Sequence, residues 1–128
     1  MKLLLDTCAF LWIAGDAAAL SKRARELFRD ADNEVYLSAA SAWEIAVKHG
    51  LGRLPLPAPP ERFVREMREQ HGISALAIDE ESALHVSRLE DLHRDPFDRM
   101  LVSQAIVHGL TILTPDPVII RYPARTIW

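Results

Sequence analysis

The run KLLLD, Lys2 to Asp6, is apolar at each of Leu3, Leu4 and Leu5 and then stops at a charge. A strand that does not alternate polar with apolar residues is covered on both faces, the situation of an inner strand in a parallel sheet. Such a sheet needs helices between its strands, and the rest of the chain supplies them. CAFLWIAG (8–15) is expected to be helical and to end at Gly15, and Ser21 to cap a helix over 22–31. EVYLS (34–38) forms a second strand, and AASAWEIAVKHG (39–50) a helix closed by Gly50. LPLPAPP (54–60) is a stiff extended connector whose last proline opens an amphipathic helix over 61–72. ISALAI (73–78) is a third strand, 79–89 a helix, TILT (111–114) a fourth strand, and RTIW (125–128) a possible edge strand. Between the third and fourth strands, HRDPFDRMLVSQAIVHG (93–109) opens with two acids and continues as a largely apolar helix. The alternation predicts an α/β chain with a central parallel sheet covered on both faces.

At 128 residues the chain is expected to form one domain, 1–128, since neither side of the proline connector retains an adequate core. The single Cys8 makes no internal disulfide, which suits a reducing, cytoplasmic setting. Met1–Leu5 is too short for a signal h-region, and no apolar run approaches the length of a membrane span. The net charge of −3 argues against broad, non-specific nucleic-acid binding but leaves a nuclease open. The basic groups Lys22, Arg23, Arg25, Arg29 and Arg62, Arg65, Arg68 read as solvated helix faces.

Function turns on where the acids fall. Ligands of open parallel sheets bind beyond the carboxyl ends of the strands. Asp6 closes the first strand and Asp116 follows the fourth, so both belong to that edge, although Asp116 beside proline is also ordinary turn chemistry. Glu44 has two readings. Ser41-x-x-Glu44 matches a capping box. If the helix instead starts near Ser38, Glu44 lies in its second turn among apolar residues, where its charge is costly unless paired or metal-bound. Asp95 before Pro96 is a natural N-cap, and Asp98 at the third helical position is favoured by the helix dipole. Asp95 is assigned mainly to capping and Asp98 mainly to the acidic cluster. Carboxylates from four segments repel when gathered, and a divalent cation removes that cost. Oxygen ligands select Mg2+ or Mn2+, and no Cys/His set has zinc spacing.

LLLDTCAFLW, SAASAWEIAVKHGLGRLPLP and HRDPFDRMLVSQAIVHGLTILTPD, in that order, resemble the PIN-domain ribonucleases, specifically the VapC-type toxins of toxin–antitoxin pairs. The resemblance covers essentially the whole chain. It implies a three-layer α/β/α sandwich around a parallel sheet of four or five strands, and Mg2+- or Mn2+-dependent endoribonuclease activity. It carries over onto Asp6, Glu44, Asp98 and Asp116 as the acidic quartet. Asp6 and Asp98 are then the principal metal ligands, with Thr7, Thr114 and Asp95 as supporting residues. It further implies an RNA substrate, a cognate antitoxin protein and a homodimer. Cys8 departs from the Ser or Asn frequent at its position, and a thiol is a poorer hydrogen-bonding group; Cys8 is not expected to act as a nucleophile.

Arg99 is expected either to reach a phosphate or to pair with a nearby acid, the two readings standing level. His93 is read as a loop histidine without a role. Trp12, Trp43 and Phe97 are assigned to core packing in preference to base stacking. Two other phosphoryl-transfer folds fit poorly: Cys8 stands where a haloacid-dehalogenase phosphatase needs a second Asp, and the last lysine is Lys48, too early for a response-regulator receiver. A housekeeping PIN nuclease of RNA processing and a non-catalytic PIN-like binding module are the remaining alternatives.

Overall fold

The computed structural model describes residues 1–128. Its centre is β1 (Lys2–Leu5), paired in parallel with β2 (Glu34–Ser38) on one side and β4 (Thr111–Leu113) on the other. β3 (Ser74–Leu76) extends the sheet beyond β2, and β5 (Arg125–Ile127) beyond β4, giving five parallel strands in the order β3-β2-β1-β4-β5. The C-terminal segment is thus the expected edge strand, in register Thr111 to Arg125.

The three leucines of β1 are fully buried, and they divide between two cores. Leu3 and Leu5 join Val35, Leu37 and Leu113 under α1 (Thr7–Ala14), α2 (Lys22–Arg29) and α4 (Pro60–His71), through Phe10, Ile13, Ala24 and Phe63. Leu4 faces the other way, with Ile112, against Leu101, Val102 and Ala105 of α6 (Pro96–His108). The period-2 geometry of a strand therefore turns one apolar run into the middle of three layers, as in an α/β/α sandwich. α3 (Ala39–Gly50) sends Ile45 to the first core and Ala40 to the second.

Two expected elements differ most in extent. The segment 79–89 divides into α5 (Glu80–His85) and a 3-10 turn at Val86–Arg88. There the Ser87 hydroxyl donates to the Leu84 carbonyl at 2.8 Å and the Arg99 guanidinium to the Val86 carbonyl at 3.3 Å, so these carbonyls are taken by side chains. The third strand is shorter than 73–78, as suits its place at the sheet edge.

One turn matters for the site. α6 ends at Gly109, whose φ of 66° is left-handed, and β4 starts two residues later. So abrupt a reversal favours glycine. It runs α6 antiparallel to β4 and carries the start of α6 to the carboxyl end of the sheet.

Candidate active site

β1 is the point at which the strand order turns back, with its successor in the chain on one side and β4 on the other. The crevice beyond its carboxyl end is where an open α/β sheet binds ligands. Asp6 stands there as the N-cap of α1, starting that helix at Thr7, one residue earlier than its sequence suggests. The residue is 4% exposed, and each carboxylate oxygen accepts one bond: the Ala9 N–H donates to Oδ1 at 2.7 Å, and the Thr114 hydroxyl, at the end of β4, donates to Oδ2 at 2.5 Å. One carboxylate thus ties together the ends of two neighbouring strands.

Glu44 arrives from α3. That helix starts at Ala39 with Ser38 as its cap, accepting from the Ala40 N–H, so the capping box at Ser41 is not formed and Glu44 lies in the second turn. It too is 4% exposed. Its charge is held from two sides. The Thr7 hydroxyl, 3.0 Å from that of Ser41, donates to Oε1 at 2.6 Å, and the Lys48 ammonium one turn along the helix donates to Oε2. Lys48 was missed in the sequence, although Glu at i and Lys at i+4 is the familiar helix pairing. That bond, ahead of Glu44's charge, raises the Lys48 pKa against the opposing effect of burial.

Asp95 and Asp98 divide as their positions suggest. Asp95 Oδ1 accepts from the Phe97 and Asp98 N–H groups at 2.9 and 3.0 Å, capping α6. Asp98 keeps its carboxylate free of the helix backbone, half-buried, with His93 Nε2 at 3.3 Å from Oδ2. Asp116 does turn work: Oδ1 accepts from the Val118 and Ile119 N–H groups at 2.8 and 3.3 Å.

The acids feel one another's charges. The Asp98 pKa is pushed up to about 6, first by burial and then by Asp95, with Glu44 and Asp116 adding and His93 opposing. Asp6 is also raised, by burial first and by the charges of Asp116 and Glu44, against the bonds from Thr114 and Ala9. The quartet shares one rim of the sheet without closing on a point: no three of the His, Cys, Asp and Glu side chains stand close enough to hold a common ion as placed. Cys8 reaches solvent, but its thiol is pushed up, by desolvation first and then by the Asp6 and Glu44 charges. A thiol kept protonated is a poor nucleophile.

Three assignments need correction. Arg99 reaches no acid; its guanidinium donates to the Glu90 and Val86 carbonyls and to the Tyr122 hydroxyl at 2.8, 3.3 and 3.0 Å, holding the segment ahead of α6 in place. His93 is not idle, because it bridges the Tyr122 hydroxyl, 2.7 Å from Nδ1, to Asp98. Trp43 is not core. It is 56% exposed and meets Phe97 edge-on with ring centroids 4.8 Å apart. An apolar helix pattern does not reveal which side the neighbouring helix leaves open.

With this geometry in view, a profile of the PIN domain family matches residues 3–124. Ribonuclease VapC16 of Mycobacterium tuberculosis (strain ATCC 25618 / H37Rv) is 39% identical over 69 residues, 54% of this chain. The match spans 49% of that protein, so the chain covers about half the length of the curated relative it matches. Among solved structures, VapBC2 from Rickettsia felis bound to a DNA fragment from their promoter superposes with a TM-score of 0.73 at 13% identity, over 99% of this chain and 98% of the other. VapBC-1 from nontypeable Haemophilus influenzae gives 0.65 at 15%, over 99% and 97%. FitAcB from Neisseria gonorrhoeae gives 0.61 at 20%, over 98% and 96%. At such identities the likeness is one of fold.

Proposed function

The chain belongs to the PIN domain family, and from that premise we propose that it is a VapC-type toxin: an endoribonuclease, dependent on Mg2+ or Mn2+, that cleaves RNA by hydrolysis. The observation that carries this reading is the set of acids from β1, α3, α6 and the turn after β4 at one sheet edge, with Asp6 and Asp98 both raised from their ordinary pKa by burial and by the other acids. Such a set fits a divalent cation. Its donors are hard oxygens, and positive charge offsets the repulsion.

Asp6 and Asp98 would be the principal ligands, with Glu44 and Asp116 completing the set directly or through water. Thr114 fixes the plane of Asp6 and Thr7 that of Glu44. The ion, when bound, polarises the scissile phosphate and lowers the pKa of a water. Both Glu44 oxygens already accept a bond, from Thr7 and from Lys48, whereas Asp116 commits only Oδ1 to backbone N–H groups. Asp116 is therefore the better placed of the two to orient the attacking water and take its proton. The expected ends are a 5′-phosphate and a 3′-hydroxyl.

The remaining parts of the reading come from the family resemblance, and the VapBC pairs named among the solved relatives support the antitoxin alone. The chain acts as one domain, in the cytoplasm, as a homodimer held in check by a cognate antitoxin. No helix is long and apolar enough to cross a membrane. Induced expression followed by sequencing of RNA ends tests the reading. Discrete new 5′-phosphate ends, absent when Asp98→Asn is expressed, support it; an unchanged set of RNA ends defeats it. A small neighbouring reading frame encoding a DNA-binding protein separates the toxin from a housekeeping nuclease.

A further inference from the structure

A cleft of about 430 Å3, walled by Trp43, Ile78 and Met100 and rimmed by Arg94 and by His93, the contact of Asp98, opens at the N-terminal ends of α3 and α6. Its volume is that of a small-ligand site. From these features we infer that the cleft is a base-stacking subsite, in which an unpaired RNA base next to the cleaved phosphate lies on the indole of Trp43. The inference rests on the reading of the protein as a ribonuclease.

Placement carries it first. Trp43 precedes Glu44 on α3 and its partner ring Phe97 precedes Asp98 on α6, so the aromatic pair stands one residue from two of the four acids. Exposure carries it next. An indole 56% open to water and held against a second ring in a T-shaped contact offers an exposed, positioned aromatic surface. Such faces bind single-stranded nucleic acid without reading sequence.

Charge separates a nucleotide from other guests. Arg94 is exposed and forms no ion pair, which leaves its guanidinium for a flanking phosphate. Arg99, also on the wall, is spent on the Glu90 and Val86 carbonyls and the Tyr122 hydroxyl, and Asp91 is the one acid there. Both His93 ring nitrogens have partners, Tyr122 and Asp98. No histidine nitrogen is therefore open to read a base edge, and preference should follow stacking strength, purine over pyrimidine.

The test is binding of labelled single-stranded octaribonucleotides, with and without one abasic position, followed by anisotropy in EDTA so that no cleavage intervenes. Trp43→Leu, which keeps apolar bulk, is expected to weaken the intact octamer at least about fivefold and to erase its advantage over the abasic one. Trp43→Phe should stay within about twofold of the parent, since stacking requires an aromatic face and not an indole. Arg94→Gln should lower the salt slope by about one. In the unaltered protein, the octamer should shift the indole resonance of Trp43 and spare that of Trp12, which packs against Trp128. If Trp43→Leu binds as tightly as the parent, or Trp43→Phe as weakly as Trp43→Leu, the subsite is overturned while the ribonuclease stands. The cleft then takes something else, such as a side chain of a protein partner. A parent protein that neither binds the octamer nor cuts RNA overturns both.

Discussion

The same pair of side chains, an aspartate and a histidine, occurs at both ends of α6 with opposite outcomes. At its C-terminal end, His108 Nε2 lies 2.8 Å from Asp79, the N-cap of α5, which also accepts from the Ser82 hydroxyl and N–H at 2.7 and 3.0 Å. These bonds, His108's first, hold the Asp79 carboxyl well below the usual range. At its N-terminal end, His93 lies 3.3 Å from Asp98, and there the pKa rises to about 6. The partner is alike; the surroundings are not. Asp79 faces water and donors. Asp98 is half-buried, with Asp95, Glu44 and Asp116 adding their charges. One pair fastens two helices, and the other belongs to a site where acids outnumber cations.

The largest expected effect breaks the comparison outright. Asp98→Asn should lower RNA cleavage on the order of 10³-fold, the scale of removing one preorganised charge-stabilising group, with melting temperature unchanged or raised at neutral pH. Asp79→Asn should leave cleavage within experimental error of the parent. A cleavage assay on both variants checks the pair.

Glu44 supplies the next test, because it is the buried acid that has its own cation. Lys48→Met leaves that carboxylate without its charged partner and should cost about 1–3 kcal/mol in urea unfolding, below the range for a fully buried pair since Lys48 is half-exposed. An unchanged midpoint counts against the pairing.

The pH dependence sharpens the contrast further. Asp98 titrates higher in the folded protein than in the unfolded chain, so the folded state holds its proton longer. Metal-free stability should therefore fall as pH rises from about 4 to about 6. Asp98→Asn should lack that part of the slope. Thermal melts across this range in EDTA measure it.

The smallest effect has the opposite sign. Asp79 titrates lower when folded, so its contribution is complete above about pH 4 and fades as pH falls below that value. Asn still caps a helix, so Asp79→Asn isolates the charge. Its melting temperature should lie below the parent's at pH 7 and converge with it in acid.

How far the sequence reached follows the range of each interaction. The leucine run of β1 and the capping of α6 by Asp95 are local, and they are legible in the residues themselves. Glu44 was legible only as a choice between two helix starts, which packing beneath Ser38 decides: its hydroxyl donates to Gln104 of α6 at 2.5 Å, and no local pattern announces a partner 66 residues away. The same holds for Thr114 on Asp6, 108 residues apart. The partners of Arg99 and the exposure of Trp43 escape the sequence for a related reason. What an arginine reaches and which face of a tryptophan stays open depend on how the chain ahead of α6 folds back, and that segment has no periodic signal.

Calorimetric titration of Mn2+ at pH 7 into the parent, Asp98→Asn and Asp79→Asn proteins tests the acidic edge most directly. A divalent site built on Asp6 and Asp98 predicts saturable binding in the parent and in Asp79→Asn, and its loss in Asp98→Asn. No saturable Mn2+ uptake by the parent, or equal uptake by Asp98→Asn, would contradict it.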